Sequence, residues 1–377
     1  MGIEIREAVT KKEVKQYIKF AWKVYRNDPE LNKYWVPPVI FDYVKTLDKV
    51  AYPLWEHADR ALFTAWRNGE MVGTITAITN SSHNKIHNDK VGFWGFFECI
   101  NDQEVANTLF DTAKKWLKQR GMNAMRGPIS PSMNDQCGML TKGFDSPPVF
   151  LMLYNPPYYN DLCKKYGHHV GQELVAWHIN QDIIDKVRLK RISDLVKKRE
   201  KVTIRDINMK DFQNEVKRIK TLYNEAWEMN WGFVPMTDKE FDALADGLKQ
   251  VVDPELVYIV ENQEGKPIGF SLSLPDMNIP LKHVNGNPLT PWGLVKFLWY
   301  KREIKMLRTI TMGVIPSYRN KGIDSVMNSE IVERAKQKGI YGSEMSWVLK
   351  CNEAMSKLAT AIGGDPYKEY AIYEIDI

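Results

Sequence analysis

Alternating apolar and polar positions predict pairs of strands joined by tight turns at two places in the chain. The first is FTAWRNGEMVGTITAI, with Asn68 and Gly69 at its centre, and the second is YIVENQEGKPIGFSLSL, with Glu264 and Gly265 at its centre. Apolar residues at every second position indicate a strand with one buried face, and short turns between such runs are typical of β-hairpins. Each segment is therefore predicted to form a β-hairpin.

The segments around the two hairpins also resemble each other. The start of the chain, IEIREAVTKKEVKQYIKFAWKVY, resembles VTIRDINMKDFQNEVKRIKTLYNEAW, which begins at Val202. Further on, FDTAKKWLKQRGMNAMRG resembles IVERAKQKGIYGSEMSW, and each predicts a helix that ends at glycine before a strand. YNDLCKKYGHH resembles MSKLATAIGGD. The order strand, helix, hairpin, helix, strand, helix thus occurs twice, which predicts two copies of one α/β unit, 1–178 and 202–377.

The segment between the copies, 179–201, is predicted to be a basic helical linker. Its charge run indicates a solvated face, with a nucleic-acid or lipid contact as the alternative. The whole chain has a net charge of only +5. Nucleic acid is therefore not expected as a partner, whereas acidic small molecules and anionic membrane surfaces are compatible with this charge.

Composition places the chain among globular proteins. It has 377 residues, of which 44% are hydrophobic and 26% are charged, and this length suggests about two domains. The four cysteines have no CxxC spacing, so neither a zinc site nor a disulfide framework is indicated. No signal peptide and no uncharged apolar run of membrane-spanning length is apparent. The expected location is the cytoplasm, with peripheral contact at the inner membrane face as an option.

The stretch MGVIPSYRNKGIDSVMNSE, from Met312 to Glu330, predicts a strand, a turn and the start of a helix. Such a turn presents unpaired backbone N–H groups and the positive end of a helix dipole, which together suit an anion. Arg319 and Lys321 add charge, and Gly322 lets the backbone approach a phosphate closely. The alternative is a polar turn that only begins a helix.

This stretch resembles the acetyl-CoA motif of the GNAT N-acyltransferases, V-x-P-x-x-R-x-x-G-x-G/A. Asp324 takes the position of its last small residue. Farther along, NEAMSKLATAIGG resembles the family's N-x-x-A-x-x-L-Y-x-x-x-G-F, although Ala359 replaces the tyrosine. The residues that match the two motifs are Val314, Pro316, Arg319, Gly322, Asn352, Met355, Leu358 and Gly363. The first copy resembles the family in its order of elements only.

The resemblance implies an α/β (α+β) fold of two tandem GNAT-like domains, each a mixed twisted sheet flanked by helices. It implies acetyl-CoA or a longer acyl-CoA as co-substrate and an amine as acceptor. Two neighbouring parallel strands would separate between TMGV and SEMSWV to expose the thioester. The residues expected to bind the CoA group are Met312, Val314, Arg319, Asn320, Lys321, Gly322, Ile323 and Asp324.

The resemblance also points to catalytic candidates. An amine must be neutral to attack a thioester, so a base is required. Glu344 is the candidate, with a surface carboxylate near the start of the strand as the alternative. Asn352 is a candidate for positioning water or the pantetheine amide, and capping the next helix is the other role open to it.

Aromatic residues indicate where the acceptor binds. Trp227, Asn230, Trp231 and Phe233 lie in the segment that covers the acceptor cleft in this fold, although packing in the core is the alternative. An insertion follows the second hairpin, and its residues 291–305 alternate aromatic with basic side chains. Such a segment suits a membrane interface or a lid over a long acyl chain, while an added packed helix is the third option.

A metal site is not predicted. His83 and His87 are four residues apart, but their setting is typical of a loop and no third ligand is evident. The whole chain resembles a group of bacterial tandem GNAT-like proteins that includes bacterial ceramide synthase-like acyltransferases.

This resemblance predicts an acyl-CoA-dependent N-acyltransferase, with transfer of a fatty acyl group to an amphipathic amine as a specific form. The alternatives are a non-catalytic GNAT-fold binding protein and a Fem-type aminoacyl-tRNA-dependent transferase. The sequence indicates no particular oligomeric state.

Overall fold

The computed structural model describes residues 2–228 and 230–377. Its strands are β1 (Glu4–Glu7), β2 (Ala58–Arg67), β3 (Glu70–Asn80), β4 (Val91–Cys99), β5 (Ala124–Gly127), β6 (Ile129–Ser130), β7 (Gln136–Cys137), β8 (Met139–Lys142), β9 (His169–Asn180), β10 (Thr203–Asp206), β11 (Val257–Glu261), β12 (Pro267–Pro275), β13 (Met306–Val314), β14 (Gly342–Leu349) and β15 (Gly364–Asp376). Its helices are α1 (Lys11–Arg26), α2 (Pro29–Tyr34), α3 (Ile40–Thr46), α4 (Ser81–His87), α5 (Gln103–Lys118), α6 (Tyr158–Tyr166), α7 (Lys186–Glu200), α8 (Phe212–Trp227), α9 (Asp238–Leu248), α10 (Asn278–Leu281), α11 (Pro291–Tyr300), α12 (Ile323–Gln337) and α13 (Glu353–Ala361).

The chain forms two compact units whose limits differ from the predicted halves. The first unit comprises Met1–Leu174, Pro280–Trp299 and Lys368–Ile377, and the second comprises Val175–Ile279 and Tyr300–Tyr367. The inserted segment and the end of the chain therefore belong to the first unit. Both segments lie within the second copy in sequence, so their resemblance to other segments does not reveal that they fold with the first copy.

The first unit is built on a mixed sheet. β1, β2, β3 and β4 pair in sequence and antiparallel, whereas β4 and β5 run parallel. β15 pairs antiparallel with both β5 and β8. α5 packs on β3, because apolar side chains three or four positions apart form one face of the helix. The contact is close: a Cβ atom on Gly73 of β3 would lie only 2.7 Å from the Leu109 side chain of α5.

The second unit repeats this arrangement. β10, β11, β12 and β13 pair antiparallel in sequence, and β13 pairs parallel with β14. α12 covers the sheet through Ile323, Val326 and Met327, which share a core cluster with Tyr258. The Tyr258 hydroxyl donates a hydrogen bond of 2.6 Å to the Met327 carbonyl, so its polar end is satisfied in the core.

α7, which occupies most of the predicted linker, is a packed helix of the second unit. Its Leu189, Ser193 and Val196 are buried, and Val196 joins the core cluster that contains Ile323. The lysines and arginines between these positions form the predicted solvated face of the helix. The opposite face, which was not predicted, packs against the second unit. No helix among the described residues is both long enough and apolar enough to cross a bilayer.

Candidate functional site

β13 and β14 separate partway along their length. Their parallel pairing joins Met306–Thr309 to Gly342–Met345. β13 continues to Val314 and β14 to Leu349, and these later residues are not paired with each other in the described part of the chain. The predicted opening between these two strands is therefore present.

A β-bulge accounts for the divergence of β13. On β12, the neighbouring residues Leu272 and Ser273 face Thr311 and Thr309, which leaves Ile310 as an extra residue on β13. A bulge bends its strand and increases the local twist, so it directs the second half of β13 away from β14. The residues after the bulge retain partial exposure to solvent.

The turn after β13 leaves several backbone donors free. A short 3-10 turn, Pro316–Tyr318, leads to Gly322, which is the N-cap of α12 and has no capping side chain. Within the described residues, the N–H groups of positions 320–324 donate no hydrogen bond. Gly322 has a φ of +81°, and a Cβ atom there would lie 3.0 Å from Val196. Both facts favour glycine at this position, and unbonded N–H groups at a helix N-terminus are an arrangement that suits an anion.

The charged residues of the turn are partly engaged elsewhere. Arg319 donates a hydrogen bond of 3.0 Å to the Ala226 carbonyl at the end of α8. The Lys321 ammonium lies 4.4 Å from the centre of the Tyr318 ring and 3.9 Å from a Glu200 carboxylate oxygen. The predicted cations are therefore beside the turn, but each of them has a protein partner.

The linker helix holds the turn from the other side. The Arg199 guanidinium donates a hydrogen bond of 2.6 Å to the Lys321 carbonyl. Asp324 is the second residue of α12, where a carboxylate interacts favourably with the helix dipole. Ile323 is buried in the core. The turn is thus fixed through its carbonyl and its apolar side chain, while its N–H groups remain available.

Glu344 lies inside a buried polar cluster, which excludes the alternative that it is a surface carboxylate. It is 0% exposed. The Ser346 hydroxyl donates a hydrogen bond of 2.5 Å to one carboxylate oxygen, and the Tyr367 hydroxyl donates one to the other. Arg308 donates to the Ser346 hydroxyl at 3.0 Å and to its carbonyl at 3.1 Å. Buried charged groups require such partners, because desolvation is costly.

The register places this cluster at the closed end of the opening. Arg308 and Glu344 face each other in the last part of the paired segment, and Ser346 is the first residue of β14 beyond it. Sequence analysis missed Arg308 and Tyr367. An arginine in an otherwise uncharged strand was a signal for Arg308. Tyr367 lies 23 positions from Glu344, with no local sign of their contact.

Asn352 is the N-cap of α13. Its side-chain oxygen accepts a hydrogen bond of 3.1 Å from the Met355 N–H, which is the capping role considered for it. Ala359, at the position of the family's tyrosine, is completely buried. The catalytic role of Asn352 stays a prediction.

The predicted acceptor residues occupy different environments. The Trp227 ring is stacked on Tyr223 at 5.0 Å, and a Cβ atom on Gly313 would lie only 2.2 Å from it. Trp227 therefore lies directly on β13, beside the opening. Phe233 is buried against Tyr223, as the core alternative states, whereas Asn230 and Trp231 are half-buried.

The equivalent opening in the first unit is filled. β4 and β5 pair over Val91–Phe93 and Ala124–Arg126 and then separate. The Ser130 hydroxyl of β6 accepts a hydrogen bond of 2.8 Å from the Phe96 N–H. A Cβ atom on Gly95 would lie 1.8 Å from the carbonyl oxygen that precedes Ser130, so β6 contacts β4 at its backbone.

The helix that follows β4 is capped by the chain itself. The Asp102 carboxylate accepts hydrogen bonds from the N–H groups of Glu104 and Val105 at 3.0 and 3.2 Å. Arg67 pairs with the same carboxylate at 2.7 Å. This helix N-terminus already holds an anion of its own, so a phosphate would have to displace the Asp102 carboxylate from the N–H groups of Glu104 and Val105.

Another carboxyl group that is partly withdrawn from solvent, Glu98, lies near the end of β4. It accepts hydrogen bonds from the hydroxyls of Tyr159 at 2.7 Å and Tyr25 at 3.5 Å. Burial raises its pKa to about 8, although both hydrogen bonds oppose this shift. Within residues 2–228 and 230–377, no group of three or more His, Cys, Asp or Glu side chains could hold a metal ion.

No protein-family model matches the chain. Protein YghO of Escherichia coli (strain K12) is 33% identical to it over 380 residues, which cover 99% of this chain and 95% of that protein. A bacterial ceramide synthase of Caulobacter vibrioides is 31% identical over 373 residues, which cover 97% of this chain and 95% of that protein.

Solved structures share the fold at low identity. A tandem GNAT protein from the clavulanic acid biosynthesis pathway has a TM-score of 0.57 at 10% identity, with 99% of this chain and 98% of that chain covered. A GCN5-related N-acetyltransferase from Sphaerobacter thermophilus has a TM-score of 0.52 at 11% identity, with 99% and 95% covered. These likenesses confirm the predicted tandem GNAT fold.

Proposed function

Because the chain belongs to the family that includes Protein YghO and the bacterial ceramide synthase of Caulobacter vibrioides, we propose that it is an N-acyltransferase. The donor is an acyl-CoA, and the acceptor is an amine. The observation that carries this proposal is the combination, in one unit, of an open strand pair with an uncapped helix N-terminus. A CoA thioester needs both, since its pantetheine is extended and its pyrophosphate is anionic.

The residues present fit the CoA group. The N–H groups of positions 320–324 are free to receive the pyrophosphate, and Gly322 keeps a side chain out of that space. Arg319 and Lys321 are close enough to screen the charge after small side-chain rotations. The backbone edges of Met312 and Val314 are proposed to hydrogen-bond the pantetheine amides.

The buried cluster supports the chemistry of the acyl transfer. In this reaction the amine nitrogen bonds to the thioester carbonyl carbon and loses a proton. The C–S bond breaks, and CoA leaves as a thiolate that takes up a proton to become the free thiol. Glu344 is proposed to accept that proton through water, because its carboxylate lies at the closed end of the opening. Ser346 and Tyr367 hold the carboxylate in place, and Arg308 holds Ser346.

The proposed acyl group is a fatty acyl chain, and the proposed acceptor is an amphipathic amine. Ceramide is an N-acylated lipid, so a relative named bacterial ceramide synthase supports this class of product. Trp227, beside the opening, offers an apolar surface to either chain. Asn230 and Trp231 are proposed to line the acceptor side together with it.

A non-catalytic binding protein is the second candidate. The observation that favours it is the engagement of Arg319 with the end of α8, together with Asp324 in the turn. A Fem-type transferase is the third candidate. It would require tRNA binding, and the basic side chains of α7 and the tandem order of the two copies support it.

Calorimetric binding of CoA, acetyl-CoA and palmitoyl-CoA tests the proposal. We expect micromolar binding that Arg319→Ala weakens about tenfold, since a charge-assisted hydrogen bond contributes about 1.5 kcal/mol. Acyl transfer from palmitoyl-CoA to long-chain amines is then measured by mass spectrometry. Binding without transfer to any amine favours the non-catalytic candidate, and absence of binding to all three ligands contradicts the proposal.

A further inference from the structure

The segment between β12 and β13 presents large apolar side chains to solvent. It contains α11, whose only buried residue is Gly293. Six apolar side chains of the segment are between 48% and 78% exposed; they are Leu289, Trp292, Leu294, Val295, Leu298 and Trp299. Monomeric proteins rarely leave a contiguous apolar surface of this kind uncovered, so it indicates an interaction site.

The segment is attached firmly to the first unit, so the exposed helix is not a loose end. The Asn285 side-chain oxygen accepts hydrogen bonds from Arg26 and, at 2.6 Å, from the Trp22 indole N–H. The Gly286 carbonyl accepts one of 3.0 Å from the Ile40 N–H. Lys282 donates to a backbone carbonyl of α2. These contacts hold the chain immediately before α11 on α1, α2 and α3.

The start of α11 is also well defined. Thr290 is its N-cap, and the Thr290 hydroxyl accepts a hydrogen bond of 3.1 Å from the Gly293 N–H. Pro291 occupies the first helical position, where a missing N–H costs nothing. A stable short helix that keeps its tryptophans and leucines in water therefore needs an explanation outside the free chain.

Charge distinguishes between the kinds of partner. No aspartate or glutamate occurs between Asp276 and Glu303, although acidic residues make up 47 of the 377 positions. Within this stretch Lys282, Lys296, Lys301 and Arg302 supply only positive charge. A cationic rim around an apolar centre complements a surface that has anionic groups above an apolar interior.

We propose that α11 docks on an anionic phospholipid bilayer, with its apolar side chains in the interface and its cations at the headgroups. Trp292 and Trp299 lie near the two ends of the helix, and indole rings favour the depth of the headgroups. The inference does not depend on the proposed acyl transfer. Docking would bring the protein to the bilayer surface, where amphipathic amines and long-chain acyl-CoAs accumulate.

Co-sedimentation of the full-length protein with vesicles tests the apolar part of the inference. The vesicles are made of phosphatidylcholine alone or of phosphatidylcholine mixed equally with phosphatidylglycerol. We expect the variant Trp292→Ser/Leu298→Ser/Trp299→Ser to lose about 100-fold in affinity for the anionic vesicles. Val50→Ser/Val187→Ser is the matched control, because both valines are more than 80% exposed elsewhere on the chain. It is expected to bind as the wild type does.

A second variant tests the charges. Lys296→Gln/Lys301→Gln is expected to lose about 25-fold on the anionic vesicles, about fivefold for each cation, and to change little on phosphatidylcholine. Added salt is expected to weaken wild-type binding to the anionic vesicles. Circular dichroism melting shows whether each variant remains folded.

Three results would overturn the inference. The first is a wild-type protein that does not sediment with anionic vesicles. The second is equal sedimentation of the wild type and the triple variant. The third is a wild-type dimer that the triple variant converts to a monomer in analytical ultracentrifugation without vesicles, because α11 would then cover a second copy of the chain.

Discussion

Both units separate two parallel strands at the same point of their sheets, and both use a β-bulge to do so. In the first unit the space beyond the separation receives β6, and seven of the nine residues of β4 are buried. In the second unit the later residues of β13 keep partial exposure. One geometry therefore supports two roles, and the difference lies in what the chain places in the opening.

The helix that follows each opening shows the same contrast. Asp102 caps α5 with its own carboxylate, which Arg67 neutralises. Gly322 caps α12 with no side chain at all. A carboxylate and a phosphate compete for the same N–H groups, so a self-capped helix is closed to CoA, whereas an uncapped one is available. A capping side chain contributes about 1 kcal/mol to its helix, so the N-terminus of α5 gains a stabilising contact that the N-terminus of α12 lacks.

The largest effect is expected from the buried carboxyl group of Glu344. Glu344→Gln should lower kcat by about 10²–10⁴-fold, because the amide cannot accept the amine's proton. CoA affinity, measured by calorimetry, should stay within about twofold of the wild type. Glu98→Gln is the matched control in the first unit, since Glu98 is partly buried and its carboxylate also accepts hydrogen bonds from tyrosine hydroxyls. Equal loss of kcat in both variants would contradict the assignment of the catalytic base to Glu344 of the second unit alone.

Glycine substitutions test the uncapped turn. Gly322→Ala should weaken CoA binding about 10- to 100-fold, because the methyl group strains a backbone with positive φ and presses on Val196. Gly121→Ala is the control, since its φ is +79° and no atom lies within 4 Å of the added methyl group. It should bind CoA normally, with a similar small loss of stability. Normal CoA affinity in Gly322→Ala would contradict the anion-site assignment.

The raised pKa of Glu98 is expected to make the stability of the first unit decrease as the pH rises toward 8. The unfolded carboxyl group has its ordinary pKa of 4.5, whereas burial raises the folded value to about 8. The folded chain therefore binds more protons between these values, and its stability decreases as pH rises through that window. We expect the free energy of unfolding to fall by about 2–4 kcal/mol between pH 5 and pH 8.5, relative to Glu98→Gln.

Chemical denaturation of the wild type and of Glu98→Gln at both pH values measures this difference. The two proteins should have nearly equal stability at pH 5, where both side chains are neutral in the folded state. Parallel pH curves for the two proteins would show that Glu98 ionises in the folded chain as it does in the unfolded one.

Local sequence signals correctly predicted the elements that depend on residues close together in the chain. The hairpins around Gly69 and Gly265 form as expected, because turn residues and alternating apolar positions act over short distances. The turn before α12 is likewise readable from its proline and glycine. Contacts between distant positions were not predictable. Tyr367 reaches Glu344 across 23 residues, and Asp102 meets Arg67 across 35.

The predicted division of the chain into halves also missed contacts between positions that are distant in sequence. Nothing local marks the final strand or the inserted segment as parts of the first unit, since their partners lie far away in sequence. The basic run of α7 masked the spacing of Leu189 and Val196, which would have indicated a packed helix. The roles of the predicted site residues remain to be measured, beginning with Glu344 and Gly322.

The smallest expected effect concerns the support of the turn by α7. Arg199→Ala removes the hydrogen bond to the Lys321 carbonyl, so the turn should lose order and CoA affinity should fall about three- to tenfold. Arg191→Ala, on the same helix and exposed, is the control for loss of positive charge. If both variants lose the same affinity for CoA, α7 acts only through the electrostatic attraction of its positive charges. A loss confined to Arg199→Ala would show that α7 supports CoA binding through its hydrogen bond to the Lys321 carbonyl.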